Sequence, residues 1–224
     1  MTLRPVRDPG PAQWLTEREQ PWPRLALFGP PPFEAYARLL FIPDPTFFGQ
    51  DESDHDGGDR PGELEQLRAV VEVLGRHTST PEVAWHCLWD GWGDLHHGAT
   101  VVMSFDHSFS DDGGGTSRPG VVAFAPDMLG PPTVHHPHRS YHLFTGPLSD
   151  LGDWGAREIA PGMPRRPMTP SFVWPEDRAW CIAADVDPHW AGIGASQAAV
   201  DELVALSTVD VVPADPSQPQ PFYG

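Results

Sequence analysis

The chain has 224 residues, a hydrophobic fraction of 39%, and about a fifth of its positions taken by proline or glycine. That is enough for one ordinary domain of short elements and many turns, and nine tryptophans with eleven phenylalanines exclude a wholly disordered chain. Its 31 acidic against 14 basic residues give a net charge of −17, which argues against nonspecific nucleic-acid binding and favours a basic protein partner, a metal cation or plain solubility.

Every basic residue is arginine, as codon usage in a GC-rich genome would favour. The absence of lysine excludes Schiff-base chemistry and a P-loop lysine, and there is no GxSxG, HExxH or paired CxxC motif. The opening MTLRPVRDPGP lacks the apolar run of a secretory signal, and no stretch approaches the roughly 20 apolar residues that span a bilayer. Cys87 and Cys181 lie inside apolar or aromatic runs and read as two buried thiols of a reducing cytosol, with a single bridge between them as the alternative. A cytoplasmic protein without membrane or nucleic-acid partners is expected.

In chain order, residues 1–32 form a proline-rich N-terminal segment with a short helix expected over 14–19. Residues 33–42, FEAYARLLFI, alternate as a strand with Glu34, Tyr36 and Arg38 on its polar face. An acidic, glycine-rich loop follows over 43–62. Apolar residues at Leu64, Leu67, Val70, Val71 and Leu74 predict an amphipathic helix over 63–74, and its acidic start suits the helix dipole. Residues 84–93 read as a strand running into a glycine turn, and further strands are expected at 100–105, 120–125, 138–146 and 178–187, with a hairpin connection over 106–119. Ser196 predicts an N-cap for a second helix, and residues 213–224 a flexible tail. The reading is a single α+β domain over 33–212, with a mostly antiparallel mixed sheet and two main helices on one face.

Four places carry candidate chemistry. In ESDHDGGDRPGE (52–63), acids at relative positions 1, 3 and 5, glycine at 6 and glutamate at 12 resemble a calcium loop with Glu52, Asp54, Asp56 and Glu63 as ligands. Against it stand glutamate at position 1, Asp59 in place of an apolar residue and Pro61 inside the loop; the alternative is a solvated acidic loop. His135, His136, His138 and His142 could offer imidazoles to zinc or nickel, or simply lead a loop into a strand. In AWHCLWDGWG (84–93), Trp85, Cys87 and Trp89 share one face and fill the core, while Asp90 and Trp92 project from the turn as binding candidates.

The fourth place is WPEDRAWCIAADVDPHWAGIGAS (174–196). Alternation puts Trp180, Ile182, Ala184 and Val186 on one face and Cys181, Ala183, Asp185 and Asp187 on the other. If His189 joins Asp185 and Asp187, the three could hold a divalent metal or act as an acid–base pair. The alternative is a strand ending in an Asp-Pro turn. Asp177 and Arg178 read as a surface ion pair or binding residues, and Trp190 as an exposed anchor. The GxG at Gly192 and Gly194 lacks the third position of a dinucleotide fingerprint.

The blocks FEAYARLLFIP (33–43), WHCLWDGWG (85–93), RSYHLFTGPL (139–148) and WPEDRAWCIAADVD (174–187) together resemble a group of uncharacterised actinobacterial proteins of similar length. That resemblance implies no catalytic residues and makes the acidic loop at 51–60 a variable insertion. In type alone, a small acidic α+β protein is similar to the immunity proteins that neutralise toxins. No cofactor is expected other than a divalent metal. The leading expectation is an interaction protein for a basic partner, ahead of a metal-assisted hydrolase and a tryptophan-lined small-molecule module.

Overall fold

The structure, a computed structural model, describes residues 2–17, 21–55, 60–96 and 121–224. Nine strands form one sheet: β1 (Arg4–Val6), β2 (Ala35–Leu40), β3 (Ala84–Trp89), β4 (Val134–His135), β5 (Ser140–Gly146), β6 (Phe172–Pro175), β7 (Cys181–Ala183), β8 (Trp190–Ala195) and β9 (Asp210–Pro213). Their order is β1-β5-β3-β6-β7-β8-β2-β9, with β4 beside the start of β5, and every pairing is antiparallel. Among the described residues six α-helices accompany them: α1 (Gln13–Thr16), α2 (Trp22–Phe28), α3 (Glu63–Leu74), α4 (Gly93–His96), α5 (Pro126–Leu129) and α6 (Gln197–Val204). The fold is α+β, as the pattern of elements predicts. No helix among the described residues is long and apolar enough to cross a membrane.

The two longest helices cover one face of the sheet. From α3, Leu67, Val70, Val71 and Leu74 pack with Ala199, Val200 and Leu203 of α6 against Ala37, Leu39, Ile182 and Ile193 of the strands. Each fully buried side chain of this kind contributes about 1.5–3 kcal/mol. Ser196 caps α6 as expected, its Oγ accepting from the Ala199 N–H at 3.2 Å. At the start of α3, the Glu65 carboxylate accepts from the Gly62 N–H at 3.1 Å.

The opposite face is covered by the proline-rich N-terminal segment. Ala12, Leu15, Trp14, Leu25 and Trp22 pack against Cys87, Tyr141, Phe172, Trp174, Cys181 and Ala183. Segment 1–32 therefore supplies a strand and a covering layer. The C-terminal residues also lie against the body: the Trp190 indole N–H donates to the Pro221 carbonyl at 3.2 Å, and the Tyr223 hydroxyl to that of Pro43 at 2.7 Å. Cys87 and Cys181 are both buried free thiols.

Some local expectations change. The strand over 178–187 is confined to Cys181–Ala183, after which the chain turns, so Val186 is 43% exposed instead of core-facing. WAGIGA, whose glycines stand out in the sequence only as an incomplete GxG, is strand β8, buried at every position. Its glycines are there for space: a Cβ on Gly192 would lie 1.8 Å from the Leu27 carbonyl oxygen of α2, and one on Gly194 would strike the Phe33 ring. The helix expected over 14–19 is the short α1, and α2 follows it. Residues 121–125 form no strand; the strand expected at 100–105 and the hairpin connection lie outside the described residues.

Candidate functional site

A cavity of about 580 Å³ opens where three turns meet. One wall is the exit of β2 at Phe41 and Ile42, another the start of α3 with Glu63 and Glu65, and the third the β7–β8 turn with Asp187, Pro188 and His189. Glu52, Arg60, Arg68 and Arg166 also line it. An adjoining arm of about 300 Å³ shares Phe41, Glu63 and Arg166 and runs on to Trp89, Trp92 and Asp185. Both volumes lie near the range of small-ligand clefts.

Several residues singled out by sequence thus line one cleft, but they do not form the sets expected. Asp185 and Asp187 are joined by Arg139, whose guanidinium meets Asp185 at 3.0 and 3.3 Å and Asp187 at 3.0 Å while lying 4.6 Å from the centroid of the Trp89 ring. Burial pushes the Asp185 carboxyl above its ordinary range, against the pull of the Val186 N–H and Arg139. His189 turns elsewhere: its Nε2–H donates to Asp44 Oδ1 at 3.0 Å. Arg38 grips the same carboxylate with two bonds of 2.6 and 2.8 Å. Burial lowers the His189 pKa in spite of Asp44, so the ring is neutral at pH 7, and it stacks edge-on to Tyr223. Burial of Asp44 is outweighed by its bonds to Arg38 and His189, and its pKa falls below the usual carboxylate value.

The histidine run is split by strand alternation. His135 is exposed on β4, His136 and His138 lie against Trp22, and His142 is buried in β5. The acidic partner absent from its neighbourhood in sequence is supplied by the turn after β3, where Asp90 Oδ1 accepts from His142 Nε2 at 2.6 Å. His96 of α4 stands 3.2 Å from the same oxygen. Of the suggested calcium ligands, Glu52 and Glu63 share the cleft and Asp54 ends a 3-10 turn, while Asp56 lies outside the described residues. Glu63 accepts from the Thr169 hydroxyl at 3.1 Å. Among the described residues no three His, Cys, Asp or Glu side chains are arranged to hold a metal ion.

Asp177 and Arg178 have separate partners. Asp177 accepts from Thr78, Ser79 and the Ala179 N–H, whereas Arg178, at φ 56°, lies 5.3 Å from the Trp14 ring centroid. Trp190 is 1% exposed and packs between Phe28 and Phe222, so it is no surface anchor. Trp92 is half-buried, and its indole N–H is buried without an acceptor among the described residues. Among the described residues the exposed phenylalanines are Phe47, Phe48 and, less so, Phe222; the adjacent pair was passed over in the sequence, where its signal was two apolar rings set between Pro45 and Gly49. Comparison of the chain with protein-family models, curated proteins and solved structures found no match.

Proposed function

We propose that the protein is a non-enzymatic, cytoplasmic interaction protein that binds a basic segment of a protein partner in this cleft, in the manner of an immunity protein. The observation that carries the reading is the imbalance of charge commitments there. Asp185 and Asp187 share the single cation of Arg139, whereas Glu52, Glu63 and Glu65 have no cationic partner among the described residues. Of the cleft's arginines, Arg60 is turned to Asp210 and Arg68 to the Leu151 carbonyl, which leaves three acids against one cation, Arg166, that has no acidic partner among the described residues. A net charge of −17 supports a basic protein over nucleic acid as partner, and two free thiols support a reducing compartment.

The test is equilibrium binding of an arginine-rich peptide to the wild type, to Glu52→Gln/Glu63→Gln/Glu65→Gln, and to a distal control of equal charge, Glu72→Gln/Glu82→Gln/Asp201→Asn. The cleft variant is expected to lose about tenfold or more, and the control less than about threefold. Equal losses would mean diffuse attraction and would overturn the reading.

One observation favours a second reading, a small-molecule module in the inner arm. The Trp92 N–H beside Trp89, buried without an acceptor among the described residues, calls for one, and a ligand could supply it. Quenching of tryptophan fluorescence by a metabolite, lost in Trp92→Phe, would support it.

A further inference from the structure

Beside the cleft, the chain displays two large apolar rings in water. Phe47 is 60% exposed and Phe48 105%, both in the loop that leaves β2. Single exposed apolar residues are ordinary, but adjacent phenylalanines at a loop tip are a concentrated apolar feature. The loop that carries them is braced. The Thr46 N–H and hydroxyl both donate to Gln50 Oε1, at 2.8 and 3.1 Å. The Gly224 N–H donates to the Gln50 carbonyl at 2.8 Å, tying the loop to the C-terminus, and Gly49 takes the left-handed turn at φ 78°. A loop backbone held in this way loses little freedom on binding, which is the property of a preorganised anchor.

The surroundings name the partner. Between Arg38 and Arg60 the sequence holds six acidic residues and no arginine or lysine, and Asp51, Glu52 and Asp54 follow the rings directly. An apolar centre with a charged rim is the anatomy of a protein interface, and an acidic rim calls for a basic one opposite. A second copy would oppose like charges, and an anionic bilayer would repel the loop. We propose that Phe47 and Phe48 are the aromatic anchor of a protein-docking surface and enter an apolar pocket on a partner whose surrounding surface is basic. This rests on the interaction reading of the cleft, which Glu52 adjoins, and specifies where the specificity of that contact lies.

The experiment places the photo-crosslinking residue benzoylphenylalanine at position 48, at position 166 in the cleft, or at position 204 on α6, in cells of the native host. The expected result is one identified basic protein, captured from 48 and 166 and not from 204. Once purified, that protein should bind wild type about thirtyfold or more tightly than Phe48→Ser, with Val204→Ser within about twofold of wild type. Capture from 166 alone, or an affinity untouched by Phe48→Ser, overturns the anchor and leaves the cleft reading standing. No basic protein from either position overturns both. Concentration-dependent dimers in sedimentation equilibrium, or binding to phosphatidylcholine vesicles, either one abolished by Phe48→Ser, would also overturn the proposal in favour of a second copy or a lipid surface.

Discussion

Replacing Arg139 with methionine removes the cation that holds the β7–β8 turn, while keeping an apolar side chain over Trp89. In the wild type the guanidinium bonds to Asp185 and Asp187, but the two carboxylates differ: the Asp185 side chain is 12% exposed and that of Asp187 78%. Unit charges about 4 Å apart attract by about 4 kcal/mol at an effective dielectric near 20, and the cation–π contact adds about 0.5–1 kcal/mol. The Val186 N–H still donates to Asp185 Oδ1 at 2.9 Å. That bond keeps the loss near the lower end of the 3–5 kcal/mol that follows when a buried charge loses its partner, so about 3 kcal/mol is expected. For a chain of this size that lowers Tm by roughly 6–12 °C. Asp187→Asn should cost about 0.5 kcal/mol, as exposed pairs do.

The loss of Arg139 also has a pH signature. A carboxyl whose folded pKa is raised, as burial raises that of Asp185, binds its proton more tightly in the folded state, so its contribution to stability falls as pH rises through that pKa. Without Arg139 the pKa rises further. The deficit of Arg139→Met is therefore complete at pH 7 and shrinks as pH falls through the new value. Adding Asp185→Asn removes the abandoned charge and should restore about 2 kcal/mol. Urea unfolding followed by tryptophan fluorescence at pH 7 and pH 4.5 measures all of this. A cost below about 1 kcal/mol, or one equal at both pH values, would refute the reasoning.

Two further changes probe the body of the sheet. His86 is wholly buried, and burial lowers its pKa from 6.5 to about 3; a depressed histidine costs stability as pH falls below its unfolded pKa, here about 2 kcal/mol between pH 7 and pH 5. His86→Leu should flatten that part of the urea-midpoint profile, and an unchanged slope would show that His86 is not the group responsible. Gly192→Ala puts a methyl group 1.8 Å from the Leu27 carbonyl oxygen, so α2 must lift or the strand distort; a loss above about 3 kcal/mol is expected in thermal melts, and a loss below about 1 kcal/mol would mean that α2 does not pack as described.

What a sequence shows depends on how far apart the interacting residues are. The helix over 63–74 is α3 to the residue, because its apolar spacing is complete within three turns. The strands around 35–40, 84–89 and 140–146 are legible for the same reason, each carrying its alternation within a few residues. The exceptions follow from contacts that local patterns do not encode. Strand β8 carries Gly192 and Gly194 because α2 and Phe33 press on it, a close approach from over 160 positions away that shows in the sequence only as an incomplete GxG. The tryptophans of the N-terminal segment are core residues only because a second face of the sheet is there to receive them.

The candidate site was harder to see, because turns build it. Strand periodicity carried Asp185, Asp187 and His189 on one line of alternation, but the strand stops at Ala183 and the periodicity stops with it. Beyond that point each side chain takes its partner from a distant element: Asp185 and Asp187 from Arg139 beside β5, and His189 from Asp44 after β2. These pairings consume the carboxylates that a catalytic reading needed, and they also stiffen the turn that forms one wall of the cleft. The acids left over, Glu52, Glu63 and Glu65, belong to the loop and the helix start opposite. Ion pairs that fix one wall and, on the other, acids without a cationic partner among the described residues are the arrangement the proposed basic partner would meet, since little of the cleft would need to reorganise when it binds.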